Sequence, residues 1–434
     1  MTTLINVIDK EFGYRINTVM NVGAENETLV EGNPLWIKVR DEHDIELELD
    51  ADLSYLPIVG ALAVVVACAP DNDFIIRSPS LKVPMFIRPL IEYLARDRRV
   101  ALSQYYGLDI PNDVELTIGW EVEDQEVVVR PGHNNMAIGN FSFGKESNLV
   151  QILLESMVKE GAIEDYALTY AYKTGYSRGF FKGVIEKQPF VDKILKVNNN
   201  FNQLNGYVNK LNPNVWVDFQ MMFQLLPLVI QGGFKYWLQG NELDTTRICY
   251  REEDGKSYMH WTLFDESIPY EALLTAVLQQ YRPESVAFSP LLPIFENRIL
   301  EAVCNKYGVR EAGGTWRPQV PEQLISCWFP EKKAAQNGWC GQCTKCERFY
   351  RMFKELNIKP PFEMQGKELM LTNNTPEDLF SEASEKYYSY REMYMPLELV
   401  PIIRSTILDL VPSLEVSDEI LYPPSGAYLP EVLA

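Results

Sequence analysis

The sequence predicts an α/β protein: a parallel sheet with helices on both faces, preceded by a smaller β-rich α+β domain and stapled by cysteines near its C-terminal end. Three observations predict it. From Asn135 onward, short apolar runs alternate with stretches of helical period, the grammar of βαβ units. Before Pro131-Gly132 the apolar residues instead recur with period two, as half-buried strands do. Further on, Cys327, Cys340, Cys343 and Cys346 are spaced C-x12-C-x2-C-x2-C. The boundaries that follow are an accessory domain over 1–134, the α/β domain over 135–368 and a helical tail over 369–434.

In the first domain, "LWIKVRDEHDIELELD" alternates Leu35, Ile37 and Val39 with Ile45, Leu47 and Leu49 around a polar turn, predicting a hairpin with one buried face. "VELTIGWEVEDQEVVVRPG" repeats the pattern, with Val127 and Val129 as the return strand. Between them, "PMFIRPLIEYLARDRRVALSQYYG" has helical period. The longest apolar run, Leu56 to Ala69, has fourteen residues, too few to span a bilayer; it reads as a buried helix or strand.

In the second domain, "NMAIGNF" is a strand, and "SNLVQILLESMVKEG" is a helix with Leu149, Leu153 and Met157 on one stripe and Gly161 at its end. "DYALTYAY" is the next strand. The Asn-rich "VNNNFNQLNGYVNKLNPN", Val197 to Asn214, reads as a long connection or lid. "FQMMFQLLPLVIQ" is helical with Pro227 inside it, "FKYWLQGNELD" is a strand with a polar end, and "YEALLTAVLQQY" is a helix. "SVAFSPLLPIFENRILEAVCNKYG" supplies strand, loop and helix.

Composition narrows the function. With 60 acidic against 40 basic residues the net charge is −20, which repels a polyphosphate backbone and argues against an extended nucleic-acid surface. A small substrate or a local protein partner fits better. The N-terminal "MTTLINVIDKEFGYRI" lacks the basic start and apolar run of a secretion signal, and seven cysteines are an odd number, so a cytoplasmic protein without disulfides or membrane attachment is the expectation. His43, His133 and His260 lie near no other ligand pair and read as structural or surface residues. Cys68, Cys249 and Cys304 read as core.

Two motifs carry chemistry. Ser142-Phe143-Gly144-Lys145-Glu146-Ser147 lies between a strand and a helix, where open α/β sheets bind ligands. Its hydroxyls, backbone amides, ammonium and helix N-terminus are the ingredients of a phosphate site. The spacing is not that of G-x-x-x-x-G-K-[ST], and the plain alternative is a turn in which Ser147 is an N-cap beside a surface lysine. The four clustered cysteines point to a closed structural Zn2+ site, with an Fe–S cluster as the competitor.

Together these motifs resemble the 7-cyano-7-deazaguanine synthases (QueC) within the PP-loop ATP pyrophosphatases, over about residues 135–360. That family has a serine-glycine-glycine-x-aspartate-serine loop after its first strand and a zinc site containing C-G-x-C-x-x-C; here Cys340-Gly341-Gln342-Cys343-Thr344-Lys345-Cys346 follows the loop in the same order. "ISCWFP" is similar to its first-ligand stretch, and "WLQGNELD" to its glycine-led loop near the nucleotide. Phe143 replaces the second glycine, Glu146 the aspartate, and the first cysteine spacing is wider. Those departures, with the extra N-terminal domain and tail, look like the QueC-like branch of bacterial anti-phage operons, the Qat and type IV CBASS systems.

The resemblance implies a PP-loop (adenine nucleotide alpha hydrolase-like) sheet and an ATP-dependent adenylating ligase using ATP, Mg2+ and Zn2+. ATP would activate the carboxylate of 7-carboxy-7-deazaguanine, and an amine of a partner protein or ammonia would attack the acyl-AMP. It implies a cofactor site of Ser142, Phe143, Gly144, Lys145, Ser147, Gly240, Asn241, Glu242 and Asp244, with Lys145 and Glu146 in catalysis and Cys327, Cys340, Cys343 and Cys346 on the metal. Asn241, Glu242 and Asp244 read equally as caps of a strand end. Dimers of the compact relatives make a homodimer an expectation. The other readings are a housekeeping deazapurine synthase, a tRNA-modifying enzyme, against which the acidity stands, and a PP-loop scaffold without activity, which Phe143 and Glu146 favour.

Overall fold

The computed structural model describes residues 2–10, 13–100, 116–172, 177–211, 221–242, 248–253, 256–261, 268–327, 337–364, 387–388 and 395–416. The chain begins with three antiparallel strands, β1 (Thr2–Lys10), β2 (Gly13–Met20) and β3 (Thr28–Leu35). The hairpin β4 (Ile37–Arg40) and β5 (Glu46–Leu47) follows, then helix α1 (Leu56–Cys68), β6 (Asp73–Val83), α2 (Ile87–Val100) and β7 (Thr117–Asp124). β6 and β7 join β1 in parallel, giving the five-stranded order β3-β2-β1-β6-β7. Helices thus alternate with strands already in the N-terminal region, rather than being set apart as in an α+β domain.

The second sheet is built from β8 (Asn134–Asn140), α3 (Lys145–Lys159), β9 (Asp165–Tyr172), α4 (Ser177–Ile185), β10 (Ile194–Asn199), α5 (Gln203–Leu211), α6 (Met221–Gly232) and β11 (Phe234–Leu238). A separate hairpin of β12 (Ile248–Glu253) and β13 (Lys256–Trp261) precedes α7 (Ile268–Tyr281), β14 (Val286–Phe288) and α8 (Glu296–Lys306). Short β15 (Val309–Arg310) and β16 (Trp316–Arg317) lead to α9 (Thr344–Glu355); β17 (Tyr387–Tyr388), α10 (Val400–Leu410) and β18 (Glu415–Val416) end the described chain.

Strands β14, β11, β8, β9 and β10 are neighbours in that order and all parallel. The β4–β5 hairpin extends the sheet beyond β10, antiparallel to it. Alternate residues serve opposite faces. Ile138, Ala167 and Trp237 pack with α1, α5, α6 and α7, whereas Ala137, Leu168, Tyr236 and Leu238 pack with α3, α8 and α10. The expected α/β sheet covered on both faces is therefore present. Helix α1 is the core of the join between the two sheets: every one of its thirteen residues is buried. Among the described residues, only the stretch Ala51–Cys68 is long and apolar enough to cross a membrane, and most of it is buried inside the protein, so packing accounts for its apolarity.

Three expectations need correction. "QEVVVRPG" forms no return strand; Val128 and Val129 are more than half exposed, and β7 pairs in parallel with β6 instead. The first hairpin exists, but Ile45 is exposed because β5 is only two residues long at the sheet rim. The Asn-rich stretch is no lid. It contains the end of β10 and α5, and Asn200 is fastened to the Pro34 carbonyl at 2.6 Å and the Trp36 N–H at 2.8 Å. Asparagine here satisfies buried backbone groups rather than loosening the chain. Cys68 and Cys304 are fully buried as expected, His43 is exposed, and His133 meets Glu284 at 2.6 Å. The side chains of Cys249 and His260 lie outside the described residues. In the tail, α10 packs Ile403 and Ile407 into the core of α3 and α8.

Candidate functional site

The chain visits β8, β9 and β10 in one direction across the sheet and then returns to place β11 and β14 on the other side of β8. The topological switch lies between β8 and β11, and a crevice opens outside the carboxyl ends of strands at such a point. Three carboxylates converge there from three adjacent strand ends. Glu146 begins α3 after β8, Glu242 follows β11, and Glu296 begins α8 after β14; one oxygen of each lies within 4.8 Å of the others.

Lys145 sits among them and is almost wholly buried, its side chain 2% exposed. Its ammonium is 3.0 Å from Glu242 and 3.0 Å from Glu296, and is also bonded to Glu146. A lysine has three N–H bonds to donate, and three carboxylates face this one. Lys145 is therefore neither the surface lysine of the plain reading nor a free phosphate ligand, but a counter-ion at its capacity. Burial raises the Glu146 carboxyl, but the Lys145 charge and hydrogen bond, its own backbone N–H and nearby Lys345 outweigh that and hold it below its ordinary value. The Glu146 carboxylate thus already interacts with the N-terminal end of α3.

The loop itself is shaped by Phe143. Its φ is +65°, a left-handed conformation that costs a non-glycine residue roughly 1–2 kcal/mol. Full burial of the ring, worth about 1.5–3 kcal/mol, offsets it: Phe143 stacks on Phe181 with centroids 5.3 Å apart and meets Tyr170 and Phe141 edge-on. Packing thus supplies what glycine would supply by freedom, and Phe143 offers a ligand only its backbone. Its carbonyl accepts the Ile325 N–H at 2.9 Å, tying the loop to the segment before Cys327. Gly144, not Ser147, is the N-cap of α3; the Ser147 hydroxyl donates to the Gly144 carbonyl at 3.1 Å and lies 3.4 Å from that of Ser142. Ser142 is exposed at the mouth. Gly240 is needed for close approach, since a Cβ there would lie 3.2 Å from that of Glu146.

Asn241 does not face this cluster. Its amide donates to Glu271 at 2.6 Å, whose other oxygen accepts the Ser289 N–H at 3.0 Å. Asp244 lies outside the described residues. Burial pushes the Glu271 carboxyl up to about 8, against the two hydrogen bonds. The folded state therefore keeps a proton that the unfolded chain releases above its ordinary value of 4.5; this contribution to stability is complete below that value and lost as pH rises through about 8. Glu271→Gln is expected to flatten the fall in unfolding free energy by up to about 1.4 kcal/mol per pH unit within that window. Urea unfolding of both proteins across it provides the check, and parallel curves would contradict the assignment.

The site also contains residues that sequence reading missed. Glu296 is an acid in the first turn of α8, and no motif in the sequence singles it out. Arg348 of α9 bonds to it, and the Phe349 ring centroid is 6.0 Å from the Lys145 ammonium. At the strand ends, Asn140 accepts from Trp237 and Thr169 and donates to Gln239 at 2.8 Å; the buried Gln239 Nε2 has no partner among the described residues.

The four cysteines are brought together as expected. Sulfur separations are 3.9 Å for Cys327–Cys343, 3.8 Å for Cys340–Cys346 and 3.5 Å for Cys343–Cys346. A tetrahedron with Zn–S bonds of about 2.3 Å has edges of about 3.8 Å, whereas a disulfide needs about 2.05 Å. The quartet could hold a metal ion such as zinc. Gly341 turns the first knuckle at φ +64°, and Cys343 caps α9. Trp339 stacks on Phe362 and meets Phe349, shielding the cluster. Two open hollows lie elsewhere, one beside Asn6 and Arg77 and one beside Lys10 and Trp36; neither collects buried titratable groups.

No family model matches this chain, and no curated protein or solved structure matches it either.

Proposed function

We propose that the chain is an ATP-dependent adenylating ligase of the QueC-like PP-loop kind, with Zn2+ in the cysteine quartet. The observation that carries this reading is the position of residues 142–147 at the switch point of the parallel sheet, with the cysteine-capped helix against it. The loop at 142–147, the polar stretch after Leu238 and the cysteine cluster follow one another along the chain, the order of motifs on which the resemblance rests. The unpartnered amide of Gln239 leaves a buried donor for a ligand at the same strand ends.

In this reading the phosphates lie over the mouth, where Ser142 and the partly exposed Glu146 and Gly240 are reached, rather than in the filled space around Lys145. Of the three carboxylates only Glu146 is open to the outside, its side chain 30% exposed; an oxygen of it would serve as a Mg2+ ligand, and the ion would neutralise charge on the leaving phosphates. The substrate carboxylate oxygen forms a bond to the α-phosphorus as the bond from that phosphorus to the bridging oxygen breaks, releasing pyrophosphate. An amine then displaces AMP from the acyl carbon and loses a proton, giving an amide. The acid would be of the 7-carboxy-7-deazaguanine class, and the amine ammonia or a partner-protein amine. A role in anti-phage defence rests on the resemblance of the divergent loop and the added N-terminal region.

A scaffold reading has its own support. Lys145 is saturated by carboxylates, and Glu146 interacts with its own backbone N–H, a group a phosphate would use. Calorimetric titration of the zinc-loaded protein with a non-hydrolysable ATP analogue and Mg2+ separates the two. The enzyme reading expects binding that Ser142→Ala/Ser147→Ala weakens at least about tenfold, a loss of roughly 1.4 kcal/mol. Absence of binding by the correctly folded wild type favours the scaffold.

A further inference from the structure

Granted the ATP reading above, we infer that Lys345 and Arg348, not Lys145, are the cationic contacts to the departing pyrophosphate. Charge accumulates on that group as its bridging oxygen takes the electron pair of the broken P–O bond, so a cation in reach of it stabilises the transition state more than the ground state. Lys145 cannot serve without giving up one of three ion pairs, and its side chain is almost entirely buried. The mouth of the crevice needs another source of positive charge.

Helix α9 supplies it. Lys345 and Arg348 are three residues apart, hence neighbours on one face of the helix. Arg348 reaches Glu296 while its side chain stays 39% exposed, so part of the guanidinium fork remains open to a phosphate oxygen. Lys345 is exposed and lies near enough to Glu146 to help hold its carboxyl down. No salt bridge to Lys345 occurs among the described residues. Lys145 thus pairs with all three carboxylates, while Arg348 reaches Glu296 and Lys345 lies near Glu146. Cys343 and Cys346 bracket Lys345, so the metal ion that fixes these sulfurs also fixes where the lysine emerges. The quartet, on this account, positions a substrate contact as well as stapling the chain.

The test uses the full-length, zinc-loaded protein and calorimetry with Mg2+-pyrophosphate, the non-hydrolysable ATP analogue and AMP. Lys345→Ala should weaken pyrophosphate and the ATP analogue about tenfold or more and leave AMP within about twofold, while Lys345→Arg retains most of the affinity. Because Lys345 is exposed, zinc content and circular dichroism should be unchanged. Wild-type binding of the analogue with an unaltered Lys345→Ala variant overturns the assignment alone, as does an equal loss for AMP. No binding of the analogue by wild type overturns the ATP reading and this inference with it.

Discussion

Replacing Cys346 by serine, or chelating a metal ion held by the quartet, is expected to release residues 337–364 from the core and to cost on the order of 5 kcal/mol of local stability. Isolated zinc-finger peptides owe roughly 10–16 kcal/mol to their metal. The loss here should be smaller because Trp339, Phe349 and Phe362 form a cluster of their own. It should not be confined to the cysteines. Cys343 caps α9, Arg348 on that helix bonds to Glu296, and Phe349 lies beside Lys145, so the carboxylate cage should loosen too. Hydrogen exchange read by mass spectrometry, alongside metal analysis, would reveal faster exchange in α9 and at the start of α3. Unchanged exchange in metal-free protein would reduce the quartet to four buried thiols.

Lys145→Met is expected to destabilise the protein by about 3–5 kcal/mol at neutral pH, because it leaves buried carboxylates without their shared counter-ion. The sign of the pH dependence follows from Glu146, whose carboxyl is held below its ordinary value of 4.5 in the wild type. That stabilisation is present above 4.5 and lost as pH falls through the depressed folded value. In the variant the lysine no longer favours the charged forms, so the deficit should shrink on acidification. Adding Glu242→Gln should recover part of the loss at neutral pH, since the pair are in contact and their effects are not additive. Urea unfolding of the four proteins in the double-mutant cycle gives the answer. A neutral or stabilising Lys145→Met would mean that the carboxylates are protonated or hydrated, and the cage as described would not stand.

Much of the architecture was legible in the residues. Leu149, Leu153 and Met157 recur at helical spacing and are fully buried in α3, because a helix with one apolar stripe has only one face it can bury. The strand β8 and the alternation through β11, α7 and β14 followed from the same kind of pattern. The cysteine quartet was legible because thiolate spacing and metal geometry are both local. Less legible were features whose partner is distant in sequence. Val127 and Val129 have strand-like alternation, yet pairing is decided by which edge is open, and β7 lies beside β6. Asparagines at 198–202 suggested looseness by composition, but backbone groups near Pro34 and Trp36 use Asn200 as a clamp.

The candidate site divides the same way. The sequence by itself determined that a polar loop with Ser142, Gly144 and Lys145 leads into a helix after a strand, and that four thiolates can meet on one ion. Only the tertiary structure decided that Lys145 is a buried counter-ion, that Glu296 and Arg348 belong to the site, and that Asn241 turns away to Glu271. The physical reason is range. Helical stripes, turns and close ligand spacings are set within a few residues. The charge state and availability of Lys145 instead depend on carboxylates delivered from two other strand ends, about 97 and 151 residues further along the chain, whose meeting is a consequence of strand order.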